Sequence, residues 1–92
     1  MEILDLKLSV VYKVLKKLSE RGELLISEVI ALTGSSTFHQ KYLPYLEKRG
    51  YIESEKKIIH GRKIRTLKLT DKGRNLLSLL EEIKKLDSMN NT

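Results

Sequence analysis

Residues 35–50 read SSTFHQKYLPYLEKRG, a helix-length segment with a polar first half, an apolar second half and a proline, Pro44, near its middle. Gly34 precedes it and Gly50 closes it, so turn residues bracket the segment. Leu43 and Leu46 have the spacing of a buried helical face, while Ser36, Thr37, Gln40 and Lys41 crowd the hydrophilic start, where Ser35 or Ser36 is placed to cap the helix. Pro44 lacks the amide that would bond the Gln40 carbonyl and disfavours helical geometry at Leu43, at a cost of about 3 kcal/mol in a helix interior. Two conformations accommodate it. One is a kink that re-aims the Ser36–Leu43 half, the preferred reading; the other is a break that restarts the helix with Pro44 at its first position.

Upstream, Leu4, Leu8, Val11, Leu15 and Leu18 recur at steps of three and four and predict a helix over 5–21, with Gly22 at its end. ELLI is a short extended link, and Ser27 is placed to cap a short helix over 27–33 that ends at Gly34. The segment 36–49 is then a third helix. Downstream the pattern turns extended: YIESEKKII and RKIRTLKL, joined by His60-Gly61, predict a β-hairpin over 51–69. With those two residues as the turn, Ile59 faces Arg62, Ser54 faces Leu67 and Ile52 faces Leu69, which puts Ile52, Leu67 and Leu69 on a core face. Thr70 is placed to cap a last helix over 71–88, with an apolar stripe of Leu76, Leu79, Leu80, Ile83 and Leu86.

Ninety-two residues suffice for one small core, so 1–92 reads as a single domain, and one Phe and no Trp make that core aliphatic. The absence of cysteine removes disulfides and thiolate metal sites. His39 and His60 lack carboxylates at ligand spacing, so no metal is expected; His39 reads as a partly buried, satisfied histidine and His60 as a hairpin-tip residue. No nucleophile with an evident base and no Gly-rich phosphate loop is present, so neither catalysis nor a cofactor is expected. The opening MEILDLKLSVVYKVL matches neither a secretory signal nor a membrane span, which predicts a soluble protein of the cytoplasm, nucleoid-associated if it binds DNA, with no membrane partner. The net charge is +6, and Lys56, Lys57, Arg62, Lys63, Arg65 and Lys68 supply six bases within thirteen residues that hold no acid. Such a run is either a solvated strand face or the footprint of a polyanion.

The stretch ISEVIALTGSSTFHQKYLPYLEKRGYIES resembles the helix-turn-helix of MarR, PadR and small archaeal or archaeal-virus winged-helix regulators, through Leu43, Leu46, Gly50, Tyr51 and Ile52. LKLTDKGRNLL resembles the return strand of their wing and the helix that follows, and the likeness spans about residues 5–86. It implies a mostly α, α+β fold: a three-helix core with a β-hairpin wing, here with a C-terminal dimerisation helix. It also implies sequence-specific binding to double-stranded DNA, as in a transcriptional regulator. Ser35, Ser36, Thr37, Gln40, Lys41 and Tyr45 would contact DNA from the recognition helix; Lys56, Lys57, His60, Arg62, Lys63 and Arg65 would do so from the wing. Tyr42 is a further phosphate candidate. The apolar faces of the terminal helices predict a homodimer through Leu4, Leu8, Val11, Leu79, Ile83 and Leu86. MarR proteins carry additional helices that this chain lacks, which makes a small-molecule effector doubtful. Two alternatives remain open: a low-specificity architectural or chromatin protein, and a winged-helix protein-interaction module.

Overall fold

The computed structural model describes residues 2–34 and 38–89. A 3₁₀ turn, Ile3–Asp5, leads to α1 (Leu8–Arg21), β1 (Glu23–Leu25) and α2 (Ile26–Thr33). A π-helical turn, Phe38–Tyr42, then runs into α3 (Leu43–Lys48), followed by β2 (Ile52–Ile59), β3 (Arg62–Leu69) and α4 (Asp71–Met89). This is the order implied by the resemblance.

Helix α1 buries Val11, Val14, Leu15 and Leu18, an i, i+3, i+4, i+7 face, and ends where the Gly22 amide donates to the Leu18 carbonyl at 2.8 Å with φ at +86°. It begins three residues later than the periodicity predicts. The chain is extended at Leu6, which it drops into the core, and the Lys7 amide donates to the Tyr42 hydroxyl at 3.0 Å. The leucine stripe therefore breaks: Leu4 is exposed, Leu8 is half-buried and Val11 is wholly inside the protomer.

Helix α2 also starts otherwise than predicted. Ser27 lies inside it, and the Glu28 carboxylate accepts the Leu25 amide at 2.9 Å while Arg21 pairs with it at 2.8 Å. The extended link before it is a true strand: Glu23, Leu24 and Leu25 pair antiparallel with Lys68, Leu67 and Thr66, giving a sheet of order β1-β3-β2.

The hairpin has the predicted register, with Ile59 opposite Arg62, Ser54 opposite Leu67 and Ile52 opposite Leu69. His60 and Gly61 both take positive φ, +52° and +75°, as a two-residue type I′ turn requires. Ile52, Leu67 and Leu69 are buried with Leu24, Val29, Phe38, Leu43 and Leu46 against α1.

Thr70 caps α4, its hydroxyl accepting the Gly73 amide at 3.0 Å and donating to the Gly50 carbonyl. The buried line of α4 is Gly73, Leu77 and Leu80. Its predicted stripe thus divides: Leu80 enters the core, Leu76 is half-buried, and Leu79, Ile83 and Leu86 are 58%, 57% and 62% exposed. The crossing of α4 over α1 decides this. Beyond Leu80 the contact is polar, through Lys16–Glu81 at 3.5 Å and the Lys84 ammonium 5.3 Å from the Tyr12 ring centre.

Two outcomes are expected of this packing. A Cβ at Gly73 would lie 2.0 Å from the Tyr51 carbonyl oxygen and 2.6 Å from Leu69 Cδ1, so Gly73→Ala should lower stability by about 2 kcal/mol in denaturant titrations. An unchanged midpoint would show that α4 shifts freely. The Leu25 amide, with help from Arg21, holds the Glu28 carboxyl below the usual carboxylate range. A carboxyl whose pKa falls on folding stabilises the fold above its unfolded-state pKa and loses that contribution as pH falls through the folded value. Glu28→Gln should therefore lower the Tm near neutral pH and match the parent in acid, whereas an equal deficit at both would assign its effect to packing.

Candidate nucleic-acid interface

Two surfaces hold the side chains singled out in the sequence. The first is the π turn leading into α3. Phe38 and Tyr42 form its underside, ring centres 5.5 Å apart, and Leu43 and Leu46 anchor α3 behind them. Gln40 and Lys41 are exposed on the turn, whereas Ser35, Ser36 and Thr37 fall outside the described residues.

Pro44 is explained by the same geometry. The helix widens to a π turn just before it, so the residue without an amide sits in the first turn of α3, where an intrahelical donor is dispensable. Backbone direction is kept, since Tyr42 at the junction is right-handed helical (φ −82°, ψ −44°). The arrangement is neither a kinked continuous α-helix nor a full break, but a change of helix type at the proline.

The aromatic and histidine side chains depart in part from their expected roles. Tyr42 is buried with its hydroxyl engaged by the Lys7 amide, which removes it as a phosphate ligand. Tyr45 is half-buried against the core, with the Arg49 guanidinium 5.3 Å from its ring centre. His39 is partly buried, as predicted, but not satisfied: its Nδ1 is buried and has no hydrogen-bond partner among the described residues.

The second surface is the wing. Its acid-free run is neutralised in part from elsewhere in the chain. Lys57 pairs with Glu23 of β1 at 3.1 Å, Arg65 with Glu47 of α3 and with Ser54 Oγ at 3.1 Å, and Lys68 with Glu55 at 3.8 Å. Lys57 and Arg65 therefore fasten the hairpin to the body. Among the described residues Lys56, Arg62 and Lys63 are exposed and without an ion pair, and His60 is exposed at the tip.

Alternation along the strands sorts these residues by face. The face that buries Ile52, Leu67 and Leu69 also carries the pairs Lys56–Arg65 and Ile58–Lys63, and it is this face that sends Arg65 to Glu47 of α3. Arg62 lies with Ile59 on the reverse face. Ile58, 75% exposed, escaped the sequence reading; the register that places it beyond the last core pair was the available signal.

On α1 and α4, the predicted dimer residues separate. Val11 is 0% exposed inside its own protomer and cannot serve an interface. Leu4, Leu79, Ile83 and Leu86 are exposed, and Leu8 and Ile83 line a groove between the helices with Tyr12, Leu80 and Lys84. No group of three His, Cys, Asp or Glu residues able to hold a metal occurs among the described residues, and none of their helices is long and apolar enough to cross a membrane.

A family model described as winged helix-turn-helix matches residues 5–88. No protein of curated function matches the sequence significantly. Among solved structures, the chain is similar to Sso10a-2, a DNA-binding protein from Sulfolobus solfataricus, with TM-score 0.69 and 23% identity over 92% of this chain and 84% of that one. It is similar to Stf76 from the Sulfolobus islandicus plasmid-virus pSSVx, with TM-score 0.61 and 26% identity over 79% of this chain and 96% of that one. It is also similar to TA0346 of Thermoplasma acidophilum, a candidate transcriptional regulator, with TM-score 0.60 and 22% identity over 91% and 92% of the two chains. At 23% and 22% identity the first and third likenesses are of fold.

Proposed function

Because the chain belongs to the winged helix-turn-helix family, we propose that it binds double-stranded DNA as a sequence-specific transcriptional regulator and does so as a homodimer. One observation carries the DNA reading: unpaired Lys56 and Lys63 stand on the hairpin face that sends Arg65 to Glu47 of α3, the helix entered by the turn that exposes Gln40 and Lys41. The names of Sso10a-2, a DNA-binding protein, and TA0346, a candidate transcriptional regulator, support it.

In this reading the π turn enters the major groove. Gln40 presents an amide able to make a bidentate pair with adenine, and Lys41 donates to guanine or phosphate. Ser35, Ser36 and Thr37 add hydroxyls at the start of the same segment, and Tyr45 contributes its edge. Lys56, Lys63 and Arg62 lie along phosphates, with His60 and Arg62 at the tip aimed toward the minor groove; Lys57 and Arg65 act by holding the wing in place. The protein is a binder and not an enzyme. Leu79, Ile83 and Leu86 cover one side of α4 at steps of four and three, an apolar line in water that a second copy would bury, together with Leu8 in the groove beside Ile83 and Leu4 exposed ahead of α1. A two-fold dimer then offers two recognition segments to a pseudo-palindromic site with half-sites about 34 Å apart.

Titration of a selected duplex and a scrambled one at two salt concentrations separates these roles. Gln40→Ala should cost about 1–3 kcal/mol on the selected duplex alone. Lys63→Ala should weaken both duplexes alike and reduce the salt slope by about one unit. Equal losses from both variants on both duplexes would contradict base reading and assign a low-specificity architectural role; absence of binding at low salt would favour a protein partner. For assembly, Ile83→Glu is expected to give monomers by light scattering with an unchanged circular dichroism spectrum. A persistent dimer would move the interface off α4.

A further inference from the structure

Ile58 serves no visible purpose within the protomer. It is 75% exposed, on a strand whose buried residue, Ile52, lies six positions earlier. Its strand propensity would be served equally by threonine, without presenting an apolar surface to water. Its surroundings make the choice informative. Lys63 is its cross-strand partner and Lys56 its neighbour on the same face two residues away; both are exposed and without an ion pair among the described residues. An apolar group framed by unpaired cations is poorly matched to an apolar protein surface, which would have to desolvate the ammonium groups. It matches a polyanion that offers flat apolar surfaces between its charges, which is a stack of base pairs between two phosphate strands.

The hairpin has the dimensions for that partner. The Arg65 and Lys57 ion pairs tether it at mid-length, on the two pairs just before Ile58, and the type I′ turn keeps the tip two residues wide. Ile58 lies two residues beyond the Lys56–Arg65 pair, roughly 7 Å at ~3.3 Å per residue, which is comparable to the depth of a minor groove, about 7.5 Å. Resting on the DNA-binding reading, we propose that Ile58 is an apolar wedge. When the wing enters the minor groove, Lys56 and Lys63 meet the bordering phosphates, and Ile58 inserts part-way between adjacent base pairs and bends the duplex. The flexible pyrimidine–purine steps, which open most easily, are the preferred insertion points.

The test uses the full chain and a mixed-sequence duplex of about 30 base pairs, a near-rigid rod against a persistence length of about 150. Donor and acceptor dyes at its ends report bending, 2-aminopurine at TA steps reports unstacking, and titration gives the affinity. The parent protein should raise end-to-end transfer and 2-aminopurine emission. Ile58→Ser should abolish both signals and weaken binding about tenfold, within the range of lost specific contacts, with an unchanged Tm because the residue is exposed. Ile58→Leu should retain both signals. If the parent binds and Ile58→Ser bends and binds DNA equally well, the wedge is overturned while the DNA-binding reading stands. Failure of the parent to bind duplex at all would overturn both. Loss of oligomer mass in Ile58→Ser, with bending retained, would assign Ile58 to contacts between copies and overturn the wedge.

Discussion

The structure depends on the central position of β3. It is the strand that pairs with both others, Leu67 facing Leu24 on one side and Ser54 on the other, and Leu67 is wholly buried. Because β1 is three residues long, it covers β3 only from Thr66 to Lys68. The rest of the hairpin leaves the body with backbone pairing to β2 alone, and that short third strand is what converts a sheet into a projecting wing. The same strand delivers Thr70 to Gly50 and to the start of α4, so the end of α3, the wing and the last helix are positioned by one element.

Electrostatics then sharpens the surface. Of the bases in the run from Lys56 to Lys68, three meet acids contributed by β1, β2 and α3. Exposed or half-exposed pairs of this kind add little stability. Their effect is geometric: Lys57–Glu23 and Arg65–Glu47 orient the hairpin relative to β1 and α3, while Lys56, Arg62 and Lys63 stay available at its outer half. Binding free energy spent on a partner would then not be consumed in ordering the wing.

Local chemistry was legible in the sequence and long-range geometry was not. His60-Gly61 fixed the hairpin register because a two-residue turn leaves no slack, and Thr70 was recognisable as a cap because its partner is three residues away. The order of helices and strands followed from periodicity together with the glycine and His60-Gly61 turns. Misreadings arose where a distant segment decides. Leu77 lies inside and Leu79 outside because of how α4 crosses α1; Val11 is core because α1 is wrapped on more than one side. The start of α1 depends on Tyr42, and the neutralised bases depend on Glu23 and Glu47, all far away in sequence. Pro44 is incompatible with an interior α-helical position, and the π turn preserves helical direction without leaving the proline in that position.

If the turn into α3 and the outer wing form one DNA-facing surface, amide chemical shifts of the full chain titrated with duplex DNA will map it. Shifts should concentrate at residues 38–41 and 56–63, with Leu79, Ile83 and Leu86 on α4 unmoved by DNA. Shifts centred on α4, or spread evenly over the surface with no maximum at the wing, would contradict it.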